Sequence, residues 1–561
     1  MLGLIAKASE MPIAEEFFQL FKTPWEPFDP DHSYNVVLTT GEIPTNCNCK
    51  LLVHYASEAI ALHAQMGVSF RRRLRNRVVV LNSSELPIYG EIATVPFGKG
   101  TIGSIPDDAQ SPGFIARKNQ RTEIRIGYDL FAEVDILLAR GQDHDHAGYA
   151  TLDLHIDVLR RLILDAGLPI IEIPPAPAGT RFVSCLTHDI DFVSLRQHRF
   201  DRAMLGFFYR ATVSTVLDFV RGRCGLRKVV KNAGAVLRWP LVQLGLCEDF
   251  WLPFGRYLEV EQGRPSTFFL IPFKNQCGQA LDGRDSKRRA VRYDVEDVQE
   301  WLPILRERGC EAAVHGLDAW NDSSKGRQEL DRIGSRTGEG NPGVRMHWLY
   351  FSEESPREIE AAGFGYDSTC GYNDAVGFRA GTSQVFRPPG TCELLELPLH
   401  VQDTAMFFPG RMHSTESEAW ALFKGVLEHC RRHGGVLTVL WHDRSLVPER
   451  LWDQFYLAVL KELSSAQTWF ATAGDVVEWF RSRREVRFGD VSRTDDGFEV
   501  TLDHVPVGAK QDLVLRVTVG GGGPDGGATS IDSPIKGRNR MRITLPESSH
   551  CAEVIAGHVN A

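Results

Sequence analysis

Apolar positions along the 561-residue chain fall into three regimes. Up to about residue 175, short apolar runs such as Val36-Val37-Leu38, Val78-Val79-Val80-Leu81 and Ile124-Arg125-Ile126 alternate with helical patterns such as His155 to Ala166. That alternation predicts an N-terminal α/β domain over 1–175. It ends in IPPAPAGT, whose three prolines and one glycine read as a linker. From about 180 to 484 the apolar runs FVSCLT, STFFLI, EAAVHG, GVRMHWLYF and VLTVLW recur between helical stretches, for example Val295 to Arg308. Strands alternating with helices imply parallel strands and crossovers, so this segment is expected to be an α/β barrel with its chemistry at the C-terminal strand ends. After Arg484 the period changes to two, in VRFGDVSRT, GFEVTLDHV, DLVLRVTV, NRMRITLP and AEVIAG, which predicts a small β-sandwich over 485–561.

One stretch interrupts the barrel pattern. Between Phe200 and Cys247 apolar residues at helical spacing are accompanied by Arg210, Arg221, Arg223, Arg227, Lys228, Lys231 and Arg238 against few acids. A basic amphipathic hairpin over 203–245 can contact an anionic membrane surface at its periphery, cover an active site, or pack on its own domain with a solvated basic face.

Composition narrows the class. The formal net charge of −9 argues against a nucleic-acid surface. Eleven cysteines without paired CxxC spacing read as reduced thiols. The first residues break their apolar run at Lys7 and Glu10, and no run approaches the ~20 apolar residues of a bilayer span, so a cytoplasmic, at most membrane-peripheral, protein without a transmembrane segment is expected.

The chemistry gathers at strand ends. In VSCLTHDIDFV, strand alternation points Asp189 and Asp191 to one face and His188 and Ile190 to the other. Two carboxylates that close call for a cation or a shared proton. His315 stands where EAAVHG stops, with Asp318 three residues on, and His442 and Asp443 stand where VLTVLW stops. The two-residue rule puts Arg345 and His347 of GVRMHWLYF on one face. An acid partner for His442 must come from another element, since Asp443 alternates away; Asp403, in LPLHVQDTAMF, and His400 are strand-end candidates to line the pocket. Asp143-His144-Asp145-His146 reads as a solvated loop.

From THDID through STFFLIP, VHGLDAW, GVRMHWL and VLTVLWHD, over roughly 180–480, the chain resembles the polysaccharide deacetylases with a NodB-like catalytic domain, a distorted (β/α) barrel. Gly365 to Pro388 resembles a divergent branch with an N-terminal accessory domain. The resemblance implies a metal-dependent hydrolase that removes N-acetyl groups from a sugar or glycan, free or lipid-linked. It makes Asp189 the base, Arg345 its partner, His442 the general acid, and Asp191 and His315 ligands to zinc or another divalent ion. Arg379 and Trp320 are candidates to hold the sugar. The family's second motif carries a further His where this chain has Ala319. The third ligand is then His347 or Asp318, of which His347 is favoured. A carbohydrate-binding scaffold without catalysis is the alternative. A glycosidase using Asp189 and Asp191 is disfavoured because neighbours on one strand cannot flank a bond from both sides.

Overall fold

The computed structural model describes residues 1–545 apart from 45, 59–71, 99, 107, 119–120, 223, 282–286, 507, 509 and 521–527. The AEVIAG run and Cys551 lie outside the described residues, as does Arg223.

The central unit is a parallel sheet in the order Val344–Met346, Glu311–Gly316, Ser266–Leu270, Phe182–Ile190, Val436–Leu440, Val401–Gln402, with Thr468–Phe470 also paired to Phe182–Ile190. All nine residues of Phe182–Ile190 are buried, as expected of a strand covered on both faces. Single bridges from Val344 to Asp367 and from Asp367 to Glu396 extend the sheet beyond Val344–Met346 through irregular chain. Helices cover the outside. Ser323–Thr337 is started by the Asp322 side chain and stopped by Gly338 at φ 76°, and Glu416–His433 opens with a capping box between Thr415 and Glu418.

Register sets the site. Ile190 pairs with Leu270, Leu270 with Val314, and Val314 with Val344. One step beyond that row lie Asp191, His315 and Arg345, on neighbouring strands at the same C-terminal end. The helix foreseen over 295–308 is broken, into a turn at Val295–Val298 and a helix at Trp301–Glu307.

The N-terminal region contains a mixed sheet in the order Trp25–Pro27, Leu2–Ile5, Tyr34–Thr39, Cys49–Tyr55, Arg121–Ile126, Gly113–Lys118, Thr101–Ile102. It docks on the barrel through Asp153, a buried carboxylate that accepts from Thr382 Oγ1 at 2.6 Å, Ser383 N and Oγ at 2.9 Å each, and His429 Nε2 at 2.9 Å. Beyond the barrel, Arg487–Thr494, Gly497–His504 and Arg540–Thr544 form one antiparallel sheet. A second is formed by Val514–Val519, Thr529–Pro534 and, from far upstream, Ile170–Glu172. The Ile170–Glu172 strand therefore pairs with the C-terminal part of the chain.

The insertion forms two helical segments, Arg202–Val220 with a wider π turn at Arg210–Ser214, and Leu226–Gln243. The first segment is more apolar than its run pattern implies. Arg202–Val220 is, among the described residues, long and apolar enough by length and composition to cross a membrane, with mean hydropathy 1.2. Arg210 and Asp218 within it, and Arg202 and Arg221 at its ends, break up a continuous apolar run.

Candidate metal centre and active site

Asp191, His315 and His347 bring one ligand atom each within 4.8 Å of one another. His347 Nδ1 lies 3.2 Å and His315 Nε2 3.5 Å from Asp191 Oδ1, and the two ring nitrogens are 3.0 Å apart. The opposite nitrogen of His315, Nδ1, donates to the carbonyl of its strand partner Arg345 at 3.0 Å. That bond fixes the tautomer and leaves the Nε2 lone pair facing the cluster. Burial lowers the His347 imidazole from its ordinary range, against the opposing pull of the Asp191 carboxylate. Burial alone would raise the Asp191 carboxyl, but the His347 and His315 rings hold it well below the usual carboxylate range. Its Oδ1 is buried without a hydrogen-bond partner. One carboxylate oxygen and two imidazole nitrogens converging on a common point fit a divalent ion, and the donor set suits zinc with a position left open.

His347 reaches this point by an unexpected route. The strand stops at Met346, and His347 opens a tight turn in which Trp348 and Leu349 take left-handed φ values of 67° and 54°. Two consecutive non-glycine residues in that region store backbone strain, a feature that concentrates at functional sites. The turn leaves Trp348 exposed, its ring 5.7 Å from that of His347. Asp318, the other candidate ligand, is committed elsewhere: it accepts from Gln279 N at 2.6 Å and Lys325 Nζ at 3.2 Å. Ala319 is fully buried among core residues, next to Gly326 of the following helix, which leaves no room there for an imidazole.

Asp189 sits beside the cluster, its Oδ2 3.9 Å from His315 Nε2. Its other oxygen accepts from Arg345 Nη1 at 3.0 Å. Arg345 is fully buried: Nη1 also donates to Thr187 Oγ1 at 2.8 Å, Nε to Ser368 O at 3.0 Å and Nη2 to Ser368 Oγ at 2.9 Å, while the guanidinium lies over the Phe269 ring. A guanidinium held this way cannot swing, so it fixes the Asp189 carboxylate in one orientation.

Across the cluster, His442 is clamped by Asp403, which lies at the end of the Val401–Gln402 strand. His442 Nδ1 is 2.6 Å from Asp403 Oδ1, and the His442 amide donates to Asp403 Oδ2 at 2.7 Å. Ser445 Oγ donates to the same oxygen. Burial alone would lower the pKa of His442, but the Asp403 carboxylate, with smaller help from Asp189 and Asp191, raises it to about 9. The ring is therefore an imidazolium at neutral pH. The partner that strand alternation left open is Asp403, and the signal for it was its own position at a strand end. Asp443 is buried, its Oδ2 without a hydrogen bond but 3.9 Å from Arg444 Nε, and burial raises its carboxyl to about 7.

The two sugar-holding candidates differ in their surroundings. Trp320 is a correction: it is buried in the barrel core, edge to face with Tyr350 at 5.9 Å, and offers no free face to a sugar. Arg379 donates to Gly371 O at 2.9 Å and lies over Phe351; it lines a cleft with Gly141, Asp143, Tyr372 and Asp374 at the seam with the N-terminal region. His400 is buried at the same seam, its ring 5.3 Å from that of Phe378. His144 and Asp145 are exposed and pair with each other.

No family model and no curated protein matches the chain. Solved structures do match. A protein assigned as a polysaccharide deacetylase from Mycobacterium smegmatis is 18% identical, covering 56% of this chain and 96% of its own, at a TM-score of 0.33. An allantoinase is 14% identical over 55% and 92%, at 0.33. A polysaccharide deacetylase from Bacillus cereus is 13% identical over 52% and 91%, at 0.23. What the site can do follows from its own side chains.

Proposed function

We propose that this protein is a metal-dependent carbohydrate deacetylase that hydrolyses an N-acetyl amide on a sugar or glycan. The observation that carries the reading is the arrangement around one point: a three-atom ligand cluster from Asp191, His315 and His347, an arginine-held carboxylate on one side, and an imidazolium on the other. A carboxylate and a protonated imidazole poised apart are the base and the acid that amide hydrolysis requires.

A divalent ion held by these three residues, zinc being the best match to the donor set, would supply a Lewis acid and lower the pKa of water to ~7. Asp189, oriented by Arg345, accepts the proton of the attacking water. As oxygen adds to the carbonyl carbon and the C–N bond breaks, His442 gives its proton to the departing amine, so the products are acetate and a free amino sugar. Asp403 keeps His442 charged for that step and turns its ring toward the pocket. Trp348, exposed beside His347, supports a further assignment as an apolar platform against which a pyranose ring can lie.

The test combines two readouts on purified protein: divalent metal content, and acetate release from N-acetylated sugars. Asp191→Asn should lose both, and His442→Ala should keep the metal and lose acetate release. Wild-type protein that takes up no divalent ion even when supplied with it would favour a carbohydrate-binding scaffold.

A further inference from the structure

The insertion between Asp191 and the Ser266–Leu270 strand presents an apolar surface that stays exposed among the described residues. On Leu226–Gln243 and the residue after it, Leu226, Val230, Leu237, Leu241 and Leu244 are all exposed, Leu237 at 78%. At about 100° per residue they fall within roughly 60° of one another, a single stripe along the helix. The opposite face carries Asn232, Ala235 and Val242, which are buried. The companion helix repeats the pattern: Leu205, Tyr209, Val213, Val216 and Val220 recur every three or four residues and are exposed, while Met204, Phe207 and Ala211 are buried. Asn232 Nδ2 donates to Thr215 Oγ1 at 2.7 Å between the two helices, so both stripes belong to one unit.

Charge accompanies the apolar surface. From Arg202 to Leu246 the chain has eight basic residues and one acid, Asp218. Arg227, Lys231 and Arg238 project about 40–140° round from the leucine stripe, along one flank of it. Arg202, Arg221 and Arg238 are exposed, and their side chains have no ion-pair partner among the described residues. Two copies meeting through this face would bring two strongly positive surfaces together, which argues against self-association. An apolar stripe with cations at its flank is the pattern that lies in the plane of an anionic membrane.

Position links the surface to the chemistry. The hairpin packs on Leu195, Trp251 and Val447, that is, on the loops that follow Asp191 and His442. Arg196 of the first loop donates to Val242 O at 2.9 Å, and Arg444 of the second lies 3.7 Å over the Phe192 ring. The exposed stripes therefore rise from the end of the barrel at which the ligand cluster opens.

We propose that the two helices dock the active-site end of the barrel on an anionic bilayer surface, so that the amide presented to the site is carried on a membrane lipid; this rests on the deacetylase reading above. The first helix lies on the surface and does not span it, since Met204, Phe207 and Ala211 are held against the barrel loops.

Docking is tested with the full chain in vesicle sedimentation, using phosphatidylcholine alone and phosphatidylcholine mixed with phosphatidylglycerol. Partition onto the anionic vesicles should exceed that onto neutral ones by about tenfold or more and weaken with salt. A V230D/L237D variant, changed only at exposed positions, should lose it. Protein that stays in the supernatant with both vesicles, a variant that pellets like wild type, or a dimer dispersed by V230D/L237D overturns the proposal. So does membrane association in cells that resists salt and alkaline carbonate and yields only to detergent, which would mean a spanning helix. In a second arm, acetate release is compared between a lipid-anchored N-acetylhexosamine in anionic vesicles and the same sugar in soluble form. V230D/L237D should lower only the vesicle rate, by about tenfold. An equal loss on both sugars, or on neither, overturns the lipid-borne substrate. Vesicle binding by protein that cleaves neither sugar would sink the deacetylase reading and leave the docking intact.

Discussion

His442 Nδ1 lies 2.6 Å from Asp403 Oδ1, a contact between residues on different strands that decides the charge of the proposed acid. With its pKa raised to about 9, His442 is protonated below that value and loses its proton as pH rises through it. Acetate release should therefore hold through neutral pH and fall above pH 9. In Asp403→Asn the burial penalty is opposed only by the weaker pull of Asp189 and Asp191, so this alkaline limb should move down from about 9 toward the ordinary imidazole value of ~6.5. The rate at pH 7 should drop by roughly 100- to 10,000-fold with metal content unchanged. An unmoved limb in the pH–rate profile would remove His442 from the acid's role.

The ligand cluster predicts a divided response to substitution. Alanine at His315 or His347 should weaken divalent-ion binding by more than the 10- to 100-fold typical of an outer-shell partner, measured by competition with a chelating dye. Alanine at Asp318, which is tied to Gln279 and Lys325, should leave ion affinity within a few-fold of wild type.

Arg345 is fully buried and bonded to Asp189, Thr187 and Ser368. Arg345→Met leaves Asp189 as an uncompensated buried charge and should cost about 3–5 kcal/mol in urea unfolding. Arg345→Lys restores the charge but not the fork. It should recover part of the stability while acetate release stays more than about tenfold down.

Asp153 joins the N-terminal region to the barrel. Burial alone would raise its carboxyl; the bonds from His429, Thr382 and Ser383 bring it down to about 2. A carboxyl depressed in the folded state contributes stability that is complete above the unfolded value of ~3.9 and disappears as pH falls through about 2. Asp153→Ala should therefore destabilise at pH 7, and the gap from wild type should narrow below pH 4 in melts followed by circular dichroism.

Trp348 is exposed on a left-handed turn beside His347. If its ring carries the sugar, Trp348→Ala should raise KM by up to about tenfold with kcat and metal content little changed. A fall in kcat at unchanged KM would assign the turn to positioning His347 instead.

Much of the site was legible because parallel strands bring their C-terminal ends together. Apolar runs that stop at Asp191, His315 and His442 locate the pocket from the sequence alone, and the alternation of Asp189 and Asp191 holds in the structure. What could not be read depends on contacts between elements. Alternation excludes Asp443 as the partner of His442, but nothing local says that Asp403 takes its place. Trp320 follows a strand end as a pocket residue would, but it closes into the core; Trp348, two positions past the last strand residue, reaches the surface only through two positive φ angles that no periodicity encodes. The strand before His347 also ends one residue early, so the two-residue rule put that ring near the right place by a path the backbone does not take.

The pairing of Ile170–Glu172 with Val514–Val519 ties remote parts of the chain into one object. Ile171 is also packed among the side chains of the C-terminal sheets. A fragment begun after the proline-rich stretch would bare the free edge of Val514–Val519, and bare edges recruit strands from neighbouring molecules. The barrel should therefore be harder to harvest as an isolated piece than its sequence borders suggest, and insertions near residue 170 should be felt as far away as residue 519.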